Sequence, residues 1–197
     1  MYCVLAKAGY FSEDKLQGYR KIGSELFLSG HPHPKTPGVE IASGSLGQGL
    51  SVAHGIALGA RIDKLNYNVY VVLGDGEIQE GQIWEAAMSA AKFNSNNLTA
   101  IIDNNKVAQD NLTGDLKNIE PLVDKWEAFG WDTYRINGHN MEEIMSTLLT
   151  PMHSAKPRLI IADTIKGKGV SFMEGNKSWR GVAPSEKDLN KALKELE

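Results

Sequence analysis

The sequence predicts an α/β fold: a parallel β-sheet with helices on both faces. Two short, continuously apolar runs, residues 69–73 and 98–102, have the length and composition of strands buried on both faces. Segments of helical period separate and follow them, and strands that alternate with helices pair in parallel. The 197 residues, 42% of them apolar, suffice for one domain with one ordinary core.

The first fifty residues are predicted to form one helix and one long loop. Ser12, followed by two acidic residues, is typical of a helix N-cap, and the helix would turn Leu16, Ile22 and Leu26 inward. It should end near residues 29–30. Residues 30–49 hold three prolines and five glycines, a composition that favours a loop.

The remaining elements follow in regular order. Small apolar residues at helical spacing start a helix near Leu50, and His54 on it is expected to be a packed histidine without a catalytic role. Ser185 is predicted to cap a charged terminal helix after an irregular stretch. Between these lie predicted strands at residues 69–73, 98–102, 133–136 and 158–162, and predicted helices at residues 79–93, 119–129 and 141–149.

Composition excludes several classes of partner. The net charge is −3 and there is no long block of Lys and Arg, so neither nucleic acid nor an anionic membrane is an expected partner. No apolar run approaches the roughly 20 residues of a membrane-spanning helix, and no export signal is apparent. The sole cysteine, Cys3, fits a reducing compartment, so we expect a cytoplasmic protein.

Polar residues follow two of the predicted strands. Gly74, Asp75 and Gly76 end one strand, and the run 103–105 (Asp-Asn-Asn) ends another. Ligands of parallel sheets bind at the carboxyl ends of strands. A carboxylate, an amide oxygen and a backbone carbonyl are suitable ligands for Mg²⁺, which would take its other ligands from a diphosphate and water. The glycines would let the backbone approach the phosphate oxygens.

Two other interpretations of these turns remain open at this point. Gly-Asp-Gly is also a common turn without any ligand. Gly74, Gly76 and Gly81 follow a strand as in dinucleotide-binding folds, but their spacing differs from G-x-G-x-x-G. Asp75 would moreover repel a pyrophosphate that lacks a metal ion.

Several blocks together resemble the N-terminal half of transketolases, particularly of the short, two-chain type. Gly-Asp-Gly followed after about thirty residues by Asn-Asn resembles the thiamine diphosphate fingerprint. The other matching blocks are residues 31–32, 36–40, 44–49, 74–81, 84–87 and 166–174.

The resemblance implies a cofactor, thiamine diphosphate, held through Mg²⁺, with Ca²⁺ or Mn²⁺ as substitutes. It implies that Asp75 and Asn105 bind the metal through their side chains and Val107 through its carbonyl, and that Gly76, next to Gly74, donates its N–H to the diphosphate. Further family positions are Gly44 and Leu46 beside the cofactor rings, His31 as substrate-contacting acid/base, and Glu80 and Glu85 as acids near the dimer interface.

The resemblance also implies an activity and a partner. Transketolases move a two-carbon ketol unit from a ketose phosphate to an aldose phosphate, as in the pentose phosphate pathway. The glutamate that activates the cofactor lies in the other half of a full-length enzyme. We therefore expect homodimer contacts and a separate chain with the pyrimidine-binding domain, in an α₂β₂ assembly, without which this chain is inactive.

Two departures from the family keep alternatives open. We expect residues 1–197 to be a single diphosphate-binding domain without the family's usual N-terminal segment, and Arg180 stands where relatives have histidine. One alternative is another thiamine diphosphate enzyme, such as a deoxyxylulose phosphate synthase or a 2-oxo acid dehydrogenase component, although His31 and residues 36–40 argue against it. The other alternative is a non-catalytic scaffold subunit.

Overall fold

The computed structural model describes residues 1–107, 117–153 and 155–197. The chain forms two compact units, residues 1–46 and residues 47–197. Across the described ranges, no helix is both long and apolar enough to cross a membrane.

The first unit has little regular structure. It contains the helix α1 (Tyr2–Lys7) and a 3-10 turn (Glu13–Gly18). Hydrogen bonds between distant residues hold the remainder together. The Tyr2 hydroxyl donates to the Ser29 carbonyl over 2.9 Å, and the buried Thr36 donates its hydroxyl to the Phe27 carbonyl. The irregular backbone predicted from residue 30 onward is confirmed.

The helix predicted from Ser12 to about residue 29 is wrong. Only the 3-10 turn forms, and it ends at Gly18. Ile22, expected to point inward, is fully exposed. The backbone explains the difference, because Arg20 and Gly23 have φ angles of 55° and 76°, in the left-handed region that no α-helix contains.

A parallel sheet of four strands forms the centre of the second unit, as far as that unit is described. Its strands are β1 (Val69–Gly74), β2 (Leu98–Asn104), β3 (Asp132–Asn137) and β4 (Arg158–Asp163). Their order is β1-β2-β4-β3, and all three neighbouring pairs are parallel. The predicted α/β class is confirmed. All four carboxyl ends therefore lie at one edge of the sheet.

Helices occur at the predicted places in the second unit. Ser185 caps the last of them as expected, because its hydroxyl accepts from the Asp188 N–H over 3.2 Å while the Asp188 carboxylate accepts from the Ser185 N–H over 3.3 Å. The helices of the described residues are α2 (Gln48–Ile62), α3 (Gly81–Lys92), α4 (Leu122–Ala128), α5 (Met141–Leu149) and α6 (Glu186–Leu196).

The core of the second unit combines alanines with a few large side chains. α2 lies against both β1 and α3, and small residues on the two helices allow this close approach. Trp131 is buried beside Trp126, and its indole N–H donates to the Ala87 carbonyl over 3.0 Å. The other buried core residues include Leu50, Ala53, Ala57, Leu73, Ile83, Ala86, Ala90, Leu98, Ile102, Leu159 and Ile161.

β1 lies at an edge of the sheet and not, as its apolar run indicated, between layers on both faces. Tyr70 is 53% exposed and Val72 is 69% exposed. A continuous apolar run does not distinguish an edge strand from a central one. In the central strand β2, by contrast, Leu98, Ala100 and Ile102 are fully buried.

His54 on α2 is a buried, hydrogen-bonded histidine, as predicted. Its Nε2 lies 3.1 Å from the Ser89 hydroxyl and its Nδ1 lies 3.0 Å from the Ser95 hydroxyl. Burial lowers the pKa of its imidazole below the ordinary value. The ring is therefore neutral at pH 7 and joins α2 to the segment after α3.

Candidate functional site

The turn after β1 carries a buried carboxylate. Asp75 directly follows the last residue of β1 and is only 1% exposed. Its Oδ1 accepts a hydrogen bond from the Gly76 N–H over 2.8 Å. Burying a carboxylate is costly unless it is paired or binds a cation. An aspartate at this place is thus suited to a positively charged ligand.

The turn after β2 presents an oriented amide. The Asn105 Oδ1 accepts from the Val107 N–H over 3.0 Å, and the Asn105 Nδ2 donates to the Asp103 Oδ2 over 2.9 Å. The other Asp103 oxygen accepts from the Thr164 hydroxyl. Since a carboxylate only accepts, Asp103 fixes which end of the Asn105 amide is the oxygen.

The two turns lie side by side. Gly74 pairs with Asp103 in the parallel register of β1 and β2. The Asp75 N–H donates to the Asp103 carbonyl over 3.3 Å. The prediction that these segments share one edge of the sheet depended on β1 and β2 being neighbours, and that adjacency is confirmed.

The donor set at this edge fits a hard cation. Asp75 supplies carboxylate oxygens, Asn105 an amide oxygen, and the buried Val107 a backbone carbonyl. Oxygen ligands of this kind suit Mg²⁺, which usually takes one or two carboxylates and completes its shell with phosphates and water. In the described residues there is no group of three or more His, Cys, Asp or Glu that could hold a metal. A site here would therefore depend on neutral oxygens as well.

A charged cluster of Lys106, Glu120, Arg135 and Asp163 stands beside the second turn. Arg135 donates to both oxygens of Asp163, over 2.8 and 3.0 Å, and to the Glu120 carboxylate over 3.1 Å. Lys106 lies 3.7 Å from Glu120 and 3.8 Å from Asp163. The fully buried Asn104 donates its Nδ2 to Asp163 over 2.6 Å. The cluster thereby holds the residue just before Asn105.

The charged cluster changes the titration of its members. Partial burial raises the pKa of the Asp163 carboxyl, but hydrogen bonds from Arg135 and Asn104 outweigh it, so the net shift is downward. The pKa of Glu120 is lowered in the same way, against burial, by the Leu122 N–H and by Arg135. The Asp163 hydrogen bond raises the pKa of Arg135. All three groups are therefore charged at pH 7.

The first unit brings two of the predicted residues together. A Cβ built on Gly44 would lie 2.6 Å from the His31 Nδ1, so the imidazole rests directly on this glycine. Gly44 has a φ of 128°, which disfavours any residue with a side chain. His31 is exposed, and Leu46, two residues after Gly44, is 53% exposed.

The two predicted interface acids lie on the surface of the second unit. Glu80 is the N-cap of α3, and Glu85 lies in the first half of that helix. Both are exposed. Arg180, which replaces the family's histidine, is also exposed and follows a 3-10 turn (Lys177–Trp179).

Asp103 and the charged cluster were missed by the sequence analysis. Asp103 belongs to the Asp-Asn-Asn run, and its position two residues before Asn105 was the available signal. The cluster gave none, since its members are scattered along the chain.

Comparisons with known proteins agree with this arrangement. Residues 1–196 match the family described as "Transketolase, thiamine diphosphate binding domain". One of the two subunits of apulose-4-phosphate transketolase from Phocaeicola vulgatus is 41% identical over 197 residues, which are 100% of this chain and 69% of that protein. The 6-deoxy-6-sulfo-D-fructose transketolase subunit SqwG of Clostridium sp. (strain MSTE9) is 41% identical over 198 residues, covering 100% of this chain and 72% of that protein.

Solved structures give the same result for the fold. Transketolase from Campylobacter jejuni superposes with a TM-score of 0.86 at 34% sequence identity, over 93% of this chain and 30% of that chain. Transketolase from Leishmania mexicana superposes with a TM-score of 0.87 at 29% identity, over 99% of this chain and 31% of that chain. This chain belongs to the family of transketolase thiamine diphosphate-binding domains.

Proposed function

We propose that this chain is the diphosphate-binding subunit of a two-chain transketolase. It would transfer a two-carbon ketol unit from a ketose phosphate to an aldose phosphate, with thiamine diphosphate and Mg²⁺. The observation that carries the proposal is the pairing of Gly74 with Asp103, which puts the turns of Asp75 and Asn105 side by side. Family membership supports the choice of cofactor.

The residues at the sheet edge would hold the metal and the diphosphate. Asp75 and Asn105 would bind Mg²⁺ through side-chain oxygens and Val107 through its carbonyl, with Ca²⁺ or Mn²⁺ as substitutes. The Gly74 and Gly76 backbone, which has no Cβ, would lie against the diphosphate, and the Gly76 N–H would donate to it. Thiamine diphosphate, when bound, supplies the electron sink for breaking the carbon–carbon bond.

The other predicted residues would act on the substrate and at the interface. His31 would exchange a proton or a hydrogen bond with the sugar, because an exposed imidazole can do either near pH 7. Its contact with Gly44 would keep the ring in one place, and Gly44 and Leu46 would flank the cofactor rings. Glu80 and Glu85, exposed on one helix, would contact a second copy.

The chain would need a second polypeptide. Two of its relatives are named as one subunit of an apulose-4-phosphate transketolase, which supports a split enzyme with an α₂β₂ assembly. The partner would carry the pyrimidine-binding domain and the glutamate that activates the cofactor. We place this enzyme in the cytoplasm and in sugar phosphate metabolism of the pentose phosphate type.

Reconstitution tests the proposal. The chain is mixed with the product of each neighbouring gene that encodes a pyrimidine-binding half, with thiamine diphosphate and Mg²⁺, and ketol transfer between sugar phosphates is measured. We expect transfer from the mixture and none from either chain alone. Activity on pyruvate instead would favour a different thiamine diphosphate enzyme. Cofactor binding without any turnover would favour a scaffold role.

A further inference from the structure

A single carboxylate joins the start of α2 to the end of β1. The Glu77 Oε1 accepts from the Gly47 N–H over 3.0 Å, and its Oε2 accepts from the Gly74 N–H over 3.1 Å. Gly47 is the N-cap of α2, and Gly74 is the last residue of β1. Glu77 therefore bridges two backbone positions that are 27 residues apart along the chain.

The start of α2 requires such a bridge. Gly47 has a φ of 86° and no side chain, so it cannot cap its own helix in the usual way. A Cβ on Gly47 would lie 3.0 Å from the Glu80 Cβ, which leaves little room for another residue there. A carboxylate at the positive end of a 15-residue helix is also favoured by the helix dipole.

The end of β1 gains a fixed position from the same contact. Gly74 is held by Glu77, and the next residue, Asp75, donates its N–H to the Asp103 carbonyl over 3.3 Å. The turn that bears Asp75 and Gly76 is thus anchored on one side to α2 and on the other side to β2.

We propose that Glu77 is a positioning residue that ties the diphosphate-binding turn to the start of α2 and thereby sets its affinity for a divalent cation with a diphosphate. The inference rests on the proposed function for the nature of the ligand. Two N–H donors need two acceptor oxygens, and only a carboxylate of this length offers both. A glutamine has one acceptor oxygen and would keep one of the two bonds.

The bridge itself is tested without any ligand. Amide hydrogen exchange is measured by NMR on the full-length chain and on the Glu77→Gln and Glu77→Ala variants. We expect faster exchange at Gly47 and Gly74 in Glu77→Ala, and at one of the two in Glu77→Gln. Gly76, whose N–H donates to Asp75, should keep its protection. Unchanged exchange at both Gly47 and Gly74 would overturn the inference.

The consequence is tested by calorimetry of Mg²⁺ and thiamine diphosphate binding to the chain together with its partner. We expect Glu77→Ala to weaken binding about tenfold, as outer residues of metal sites usually do, and Glu77→Gln to weaken it less. Glu127→Ala, which removes an exposed glutamate on α4, is the matched control and should bind normally.

The outcomes separate the two levels of the argument. If the unsubstituted chain does not bind the cofactor, the proposed function is wrong, and the exchange data alone report on the bridge. If the unsubstituted chain binds and Glu77→Ala binds equally well, the positioning role of Glu77 is wrong. Should Glu77→Ala fail to fold, by circular dichroism, the Glu77→Gln variant decides in its place.

Discussion

Replacing Asp75 by asparagine separates metal binding from folding. The change keeps the size of the side chain and an acceptor for the Gly76 N–H, and it removes only the negative charge. A hydrogen bond to a charged group contributes about 1 kcal/mol more than a neutral one, so Asp75→Asn should cost about that much at most. For a chain of this length, this shifts the melting temperature by about 2–4 °C.

The effect on metal binding should be far larger. Outer residues of metal sites change affinity by roughly 10–100-fold, and losing an anionic ligand should exceed the upper value. We therefore expect Asp75→Asn to weaken Mg²⁺ binding, with thiamine diphosphate in excess, by more than about 100-fold. Isothermal calorimetry on the two-chain complex measures the affinity, and differential scanning calorimetry measures the melting temperature.

Asp132→Asn serves as the control for the removal of one carboxylate. Asp132 begins β3 at the opposite end of the strands, and its carboxylate accepts from the Tyr134 hydroxyl over 3.1 Å. This variant should bind Mg²⁺ normally. If Asp75→Asn retained an affinity within about threefold of the unsubstituted chain, Asp75 would not be a metal ligand. A collapse of its melting temperature would instead assign Asp75 a structural role.

Three further substitutions test neighbouring contacts. Asp103→Ala frees the Asn105 amide to turn over and should weaken Mg²⁺ binding by about 10–100-fold in the same titration, with little change in melting temperature; normal affinity would contradict the orienting role. Asp163→Ala leaves the buried Asn104 amide without its acceptor and should lower the free energy of unfolding in urea by about 1–3 kcal/mol; an unchanged urea midpoint would argue against the network. The lowered pKa of His54 means that the unfolded state binds its proton first, so stability is lost as the pH falls from 6.5 toward the folded value. His54→Gln should therefore lose less stability than the unsubstituted chain between about pH 7.5 and pH 5.5, measured by urea unfolding, and an equal loss would contradict this.

The sequence was most informative where function follows directly from local order. Both polar turns come immediately after an apolar strand, so their place at the edge of the sheet could be predicted without knowing any side-chain contact. The one assumption was that β1 and β2 are neighbours. Strands that follow each other in the chain usually are, and the register confirms it here.

Contacts between distant residues could not be predicted. The hydrogen bonds of Arg135 and Asp163 span 15 to 59 residues, and charged residues in a sequence look alike whether they are paired or free. Arg158 is a clearer case, since it is 1% exposed inside the fold and donates to the carbonyls of Thr147, Thr150 and Pro151. Nothing in the sequence around it indicates a buried guanidinium.

Local signals also failed where backbone conformation decided the outcome. Ser12 with two acids after it is a sound N-cap pattern, but its side chain makes no capping hydrogen bond. The left-handed conformations of Arg20 and Gly23 then prevent the helix from continuing to Leu26. An N-cap pattern indicates where a helix can begin, and it carries no information on whether the following residues can sustain it.

The chemistry of the two turns suits a cation that arrives together with an anionic ligand. A diphosphate brings several negative charges of its own, so a cluster of carboxylates would bind the free metal well and repel the metal–diphosphate complex. Asp75 together with the neutral oxygens of Asn105 and Val107 avoids this conflict. The nearby carboxylates are engaged elsewhere, since Asp103 accepts from Asn105 and Thr164, and Glu77 accepts from two backbone N–H groups. One anionic ligand among neutral ones therefore favours a phosphate-bearing cofactor over a bare divalent ion, which is the selectivity that a thiamine diphosphate site requires.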